Sequence, residues 1–299
     1  MRPSRVTREP NLCQSSRVDH IVVEQLPEMN NPVMVTSFRG WNDAGDAASS
    51  ATEFMSALLD ARRFAHIDPE EFYDFQSTRP VAQLIDGTTR RIDWPENVFS
   101  YAKVGGVDLI LLQGIEPNLR WKTFSHEIVA LGKELGARKL VTLGAFLADV
   151  PHTRAVPVVG SASNPDEAED LGLAPSRYEG PTGIVGVMHD IANRGGLPSV
   201  SFWAAVPHYV PSGENPKAAI ALLRRFAAYI GVDLDVSELE PEAQAWEDSV
   251  TEQVRDNEDL VNYILGLETS DDGTVEPNGD ELADEIERFL ERRNGGDAS

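Results

Sequence analysis

Short apolar runs of strand length recur along the chain at 21–23, 32–38, 81–85, 107–113, 140–147 and 200–206. Between them lie stretches whose apolar residues return with helical period, at 44–59, 121–135, 182–193 and 216–230. Strand-length runs separated by crossover-length amphipathic segments predict an α/β fold, a mainly parallel sheet covered by helices. Within 61–103 the pattern shortens and turns polar, and Arg90, Arg91, Ile92, Asp93 and Trp94 read as a hairpin or a small excursion.

Beyond Gly231 the apolar density falls, yet helical spacing persists through Trp246, Val250 and Val254 and again through Leu260, Ile264 and Leu267. A turn-rich stretch at 270–279 separates these from a last amphipathic segment at 281–292, with Leu282, Ile286, Phe289 and Leu290 on one side. That stripe suits packing on another subunit. The chain thus divides into an arm at 1–17, a core at 18–232 and a helical C-terminal segment at 233–299.

Charge sharpens the last boundary. Residues 233–299 carry 22 acidic and 4 basic side chains, a local −18 out of −23 for the 299-residue chain. Such a field repels phosphates and argues against nucleic-acid binding, while leaving open either a solvated helical surface or a docking face for a basic partner. The single cysteine, Cys13, allows no disulfide framework within one chain and fits a reducing compartment, hence the cytoplasm. No apolar run approaches the length of about 20 residues that spans a bilayer, so no membrane association is expected. The arm holds four Arg but no apolar stretch of signal-peptide type.

Polar motifs follow the predicted strands. After 32–38 comes Gly40-Trp41-Asn42-Asp43-Ala44-Gly45, a strand-to-helix junction at which Asn42 or Asp43 can cap the helix and Trp41 can pack or line a ligand pocket. After 107–113 comes Gly114-Ile115-Glu116-Pro117, placing Glu116 at the same sheet edge. After 140–147 comes Asp149-Val150-Pro151-His152-Thr153-Arg154, the densest set of reactive types in the chain. There Asp149 can orient His152 as a carboxylate orients a catalytic imidazole, and Arg154 can hold an anion. The alternative is that these groups satisfy one another in a folded loop.

Glu179, Thr182 and Gly183, within Tyr178-Glu179-Gly180-Pro181-Thr182-Gly183, precede a helix whose start can receive an anion. Val206-Pro207-His208-Tyr209 ends the last strand with His208 at the same edge. There is no G-x-S-x-G elbow, no H-E-x-x-H, no CxxC pair and no dinucleotide or Walker glycine pattern, so neither metal nor cofactor is expected.

Taken together, these five motifs over about residues 20–230 resemble the proteasome-assembly-chaperone family, in its actinobacterial-type branch. The resemblance implies a three-layer α/β/α sandwich of phosphorylase-like topology, a helical C-terminal addition and self-association, with a trimer suggested by phosphorylase-like relatives. It implies no established reaction; eukaryotic relatives bind proteasome α-subunits during assembly.

Two functions therefore compete. One is a protein-interaction or assembly factor. The other is a small-molecule hydrolase or phosphorylase acting on an anionic or nucleoside-like ligand, with His152 as general acid or base, Asp149 as its orienter, and Arg154 with the Thr182–Gly183 helix start as the anion site. In a third arrangement, the motif residues form a buried network that only specifies the fold.

Overall fold

The computed structural model describes residues 19–85, 87–173, 179–210 and 213–269. The expected amphipathic helix at 281–292 and the arm at 1–17 lie outside the described residues.

Ten strands and seven α-helices are described: β1 (Ile21–Val23), β2 (Val33–Arg39), α1 (Ala47–Leu58), β3 (Arg62–Ile67), β4 (Val81–Ile85), β5 (Thr89–Asp93), β6 (Asn97–Val104), β7 (Val107–Ile115), α2 (Trp121–Glu134), β8 (Lys139–Ala148), β9 (Val158–Ala162), α3 (Pro165–Asp170), α4 (Ile184–Arg194), β10 (Ser199–Pro207), α5 (Pro216–Ile230), α6 (Glu240–Val254) and α7 (Glu258–Thr269). Eight strands form one sheet in the order β1-β3-β6-β7-β2-β8-β10-β9, and β4 pairs only with β5.

The four central strands, β7, β2, β8 and β10, are parallel neighbours. Both flanks are antiparallel: β6, β3 and β1 on one side, β9 on the other. The expectation of a mainly parallel sheet therefore holds for the centre only, and the sheet as a whole is mixed. The physical reason is local: β6 and β7 are joined by the tight Gly105–Gly106 turn, both glycines at positive φ, and a two-residue connection can only reverse the chain.

Alternation of side chains sends each central strand's residues to two cores. Val33 and Val35 of β2, Leu109 and Leu111 of β7 and Val141 and Leu143 of β8 face α1 and α5. Met34 and Phe38, Ile110 and Leu112, and Leu140 face α2 and α4. Helices thus cover both faces. Burial on both sides explains why these strands read as continuous apolar runs, and truncating a side chain such as Leu111, 0% exposed, to Ala costs about 2–5 kcal/mol.

On one face α1 presents Ala47, Ala48 and Ala51, small enough for close approach to α5. Asn215 starts α5, accepting from the Ala218 N–H at 3.0 Å just ahead of Pro216, and Gly231 at φ 72° ends it.

The run at 81–85 is a strand, but it stands outside the main sheet in the β4–β5 hairpin. The helix expected from residue 44 begins at Ala47, because a 3-10 turn with Gly45 at φ 61° and Asp46 at φ 47° comes first. The acidic segment supplies α6 and α7, which pack through Val250, Val254 and Ile264 against Tyr209. No described helix is long and apolar enough to cross a membrane.

Candidate functional site

Four of the five polar motifs follow parallel strands and lie past the carboxyl ends of β2, β7, β8 and β10, the edge where open α/β sheets bind ligands, while the one ending at Gly183 follows α3 and runs into α4. They do not form one constellation there. They separate into two networks with different partners.

The first network joins the ends of β2 and β7 to the start of α4. Glu116 Oε1 accepts from Asn42 Nδ2 at 2.9 Å and from the Ile184 N–H at 2.8 Å, and the Trp41 N–H adds a third donor. Gly183 is the residue just before α4 and lies against Asn42; a Cβ built on it would meet the Asn42 amide at 2.3 Å. Gly40, at φ 136°, makes a similar close approach to Glu116. Burial raises the Glu116 carboxyl above its ordinary range, with the hydrogen bonds from Ile184, Asn42 and Trp41 opposing it.

The Glu116 carboxylate therefore stands where an external anion would meet the α4 N-terminus. Around the expected anion site, Thr182 and Glu179 are exposed ahead of the helix, Tyr178 lies outside the described residues, and the Ile184 N–H donates to Glu116.

Asp43, 5% exposed, heads α1. Its Oδ1 accepts from the Ala48 N–H at 2.6 Å, and both oxygens accept from the Ser49 N–H at 3.3 Å. Its backbone bridges to Ala145 of β8. Burial is the largest influence and pushes its carboxyl up to about 6, against the pull of those donors.

The second network lies past β8 and β10, under α6 and α7. His152 is 3% exposed. Its Nδ1 lies 3.0 Å from the Tyr209 hydroxyl, its Nε2 lies 3.0 Å from Thr251 Oγ1, and Thr251 donates to the Glu247 carbonyl at 2.9 Å. A carbonyl only accepts, so the Thr251 proton points to Glu247 and its oxygen must accept from His152 Nε2–H. Nδ1 is then the acceptor for the Tyr209 proton, while the same phenol oxygen accepts from the His152 N–H at 2.8 Å. Burial lowers the affinity of the ring for a second proton. Both ring nitrogens of the neutral imidazole are thus committed within the protein.

Asp149 does not orient His152. It pairs with His208, Nδ1 to Oδ1 at 3.2 Å, and accepts from the Tyr263 hydroxyl of α7. The expected Asp–His pairing is corrected because α6 and α7 bring in Thr251 and Tyr263, residues about a hundred positions downstream that no local spacing reveals. The edge-on rings of His152, Tyr209, His208 and Tyr263 continue the contact. Lys217 of α5 donates to the His152 carbonyl at 2.6 Å and pairs with Glu247, and Thr153 donates to Glu268. Arg154 is exposed in the same loop. No cluster of metal-binding side chains occurs among the described residues.

Helices on both faces of a mixed sheet, with carboxyl-edge loops held by internal hydrogen bonds, define an α/β protein. The PAC2 family model matches residues 37–254, and the chain belongs to that family. A solved PAC2 family protein from Streptomyces avermitilis is 47% identical, with a TM-score of 0.73 over 78% of this chain and 99% of that one. A Mycobacterium tuberculosis proteasome-assembly-chaperone homologue is 45% identical, with a TM-score of 0.72 over the same 78% and 99%. An uncharacterized protein of Methanocaldococcus jannaschii is 27% identical over 141 residues, 46% of this chain; the chain spans about half, 53%, of that relative.

Proposed function

We propose that this protein acts by holding other protein chains, as an assembly-factor-like member of its family, with proteasome α-subunits as the first partners to examine. The observation that carries this reading is the commitment of both His152 ring nitrogens to Tyr209 and Thr251 beneath α6. A general acid or base needs a nitrogen within reach of a substrate proton, and this one faces only protein. The homologue from Mycobacterium tuberculosis, described as a proteasome-assembly chaperone homologue, supports the choice of partner.

The same reading includes a phosphorylase-like sheet topology, a cytoplasmic setting, self-association as a trimer, and a division into an arm at 1–17, a core at 18–232 and an acidic segment at 233–299. That segment offers a field that would steer a basic partner surface. The test is to mix the full-length protein with a purified proteasome α-subunit from the same source and follow mass by light scattering during gel filtration. A complex heavier than either component is expected. Separate elution, together with an unchanged rate of proteasome particle formation, would rule the reading out.

A further inference from the structure

The β4–β5 hairpin is the least buried piece of regular structure in the described chain. Val81, Leu84, Ile92 and Trp94 are 58%, 64%, 48% and 51% exposed, and every residue of β4 is exposed. Cross-strand partners place Leu84 beside Arg90 and Ala82 beside Ile92 on one face. The ribbon is held to the body at its base, where Trp94 meets Phe75 edge-on at 4.8 Å. An isolated two-stranded ribbon is marginal in water, and this one shows apolar side chains flanked by the exposed Arg79 and Arg90, while Arg91 on the other face pairs with Asp93.

We infer that the β4–β5 ribbon is a docking surface, and that its occupant is residues 281–292 of the same chain. Two observations choose this occupant. The first is chemical complementarity: in Glu281-Leu282-Ala283-Asp284-Glu285-Ile286-Glu287-Arg288-Phe289-Leu290-Glu291-Arg292, apolar residues recur at 282, 286, 289 and 290 among five carboxylates. An apolar stripe bordered by acids matches an apolar ribbon bordered by arginines.

The second is reach. The excursion bearing the ribbon leaves β3 at Ile67 and returns at Asn97, beside the carboxyl end of β7, because Val98 pairs with Gln113. At the same edge α7 is tied past β8 by Tyr263 to Asp149 and by Glu268 to Thr153. From β8 to β6 is three strand spacings of about 4.8 Å, or roughly 15 Å. The eleven residues 270–280 can extend to about 36 Å at roughly 3.3 Å each, so the segment reaches the ribbon of its own chain.

This goes beyond the assembly-factor reading and stands whether or not a proteasome subunit binds. The test uses full-length protein carrying Leu84→Cys and Leu290→Cys in a Cys13→Ser background, treated with a short bismaleimide. A cross-linked species of monomer mass, absent when either cysteine is omitted, is expected. A species of dimer mass would hand the ribbon to a second copy and overturn the assignment, and so would no cross-link. In parallel, Ile286→Asp with Phe289→Asp leaves the ribbon sequence intact. Amide exchange over 81–93 should then quicken about tenfold, and unchanged exchange would equally overturn the inference.

Discussion

Asp149 holds His208, at 3.2 Å from Oδ1 to Nδ1, rather than the His152 that stands three residues along its own loop. The consequence is that the loop's reactive residues are divided between two helices: α6 claims His152 through Thr251, and α7 claims Asp149 through Tyr263. Neither pairing leaves the acid–base couple that the sequence suggests.

Replacing Tyr209 with Phe removes one oxygen that serves both the His152 backbone N–H and Nδ1. Leaving these unsatisfied should cost about 1–3 kcal/mol by denaturant unfolding. Thr251→Val orphans Nε2–H in the same way, and the two changes together should cost less than their sum because they dismantle one chain of bonds. Additive losses would show that the hydroxyls act independently.

The pH dependence separates two buried groups of opposite sign. Asp43 titrates near 6 when folded, above the ordinary carboxylate value of about 3.9, so the folded state binds the extra proton. Its contribution is therefore full below about pH 4 and is lost as pH rises through 6. Asp43→Asn should reduce the fall in stability over that window by up to about 3 kcal/mol, judged from the difference between the two stability curves. His152, whose ring is depressed by burial, works the other way: its contribution is present above the ordinary imidazole range of about 6.5 and is lost as pH falls. Identical curves for Asp43→Asn and the parent protein would contradict the burial argument.

Gly183→Ala tests the join between α4 and β2. The Gly183 backbone, at φ −93°, suits any residue, so the expected cost of about 1–3 kcal/mol comes only from a Cβ pressed 2.3 Å from the Asn42 amide. Combining it with Asn42→Ala should relieve part of that cost. A double variant that loses the full sum would place the strain elsewhere.

Lys217→Met should loosen the cover without touching the sheet. The ammonium bridges the His152 carbonyl and Glu247, so its loss leaves a half-buried carboxylate without its cation. Faster amide exchange in α6, with β2 and β8 unchanged, is the expected pattern by mass spectrometry.

What the sequence revealed depended on burial. The central strands β2, β7, β8 and β10 are covered on both faces and read as apolar runs of the right length. In contrast β3 opens with the exposed Arg62 and Arg63, and β9 is a short Val-Val-Gly-Ser-Ala stretch at the sheet margin; neither carries a periodic signal strong enough to stand out. The site divides the same way. That Asn42, Glu116, His152 and His208 gather at one edge follows from each motif trailing a parallel strand. Which carboxylate meets which imidazole is decided by Thr251 and Tyr263, whose arrival depends on tertiary packing of the acidic helices. Glu116 is the instructive case: its position was legible, but its duty as the internal anion of α4 depends on Gly183 being bare enough to admit Asn42.

The cover over the His152 loop is also the last described part of the chain to be made. Domains fold as they are synthesised, amino-terminal parts first, so the sheet and its four central strands can be complete while α6 and α7 are still being added. Until then the Asp149–Arg154 loop and the Tyr209 ring stand open to water, and the closing contacts form as a finishing step. A nascent chain stalled before Glu240 would lack Thr251 and Tyr263, and so would carry His152 and Asp149 without those partners.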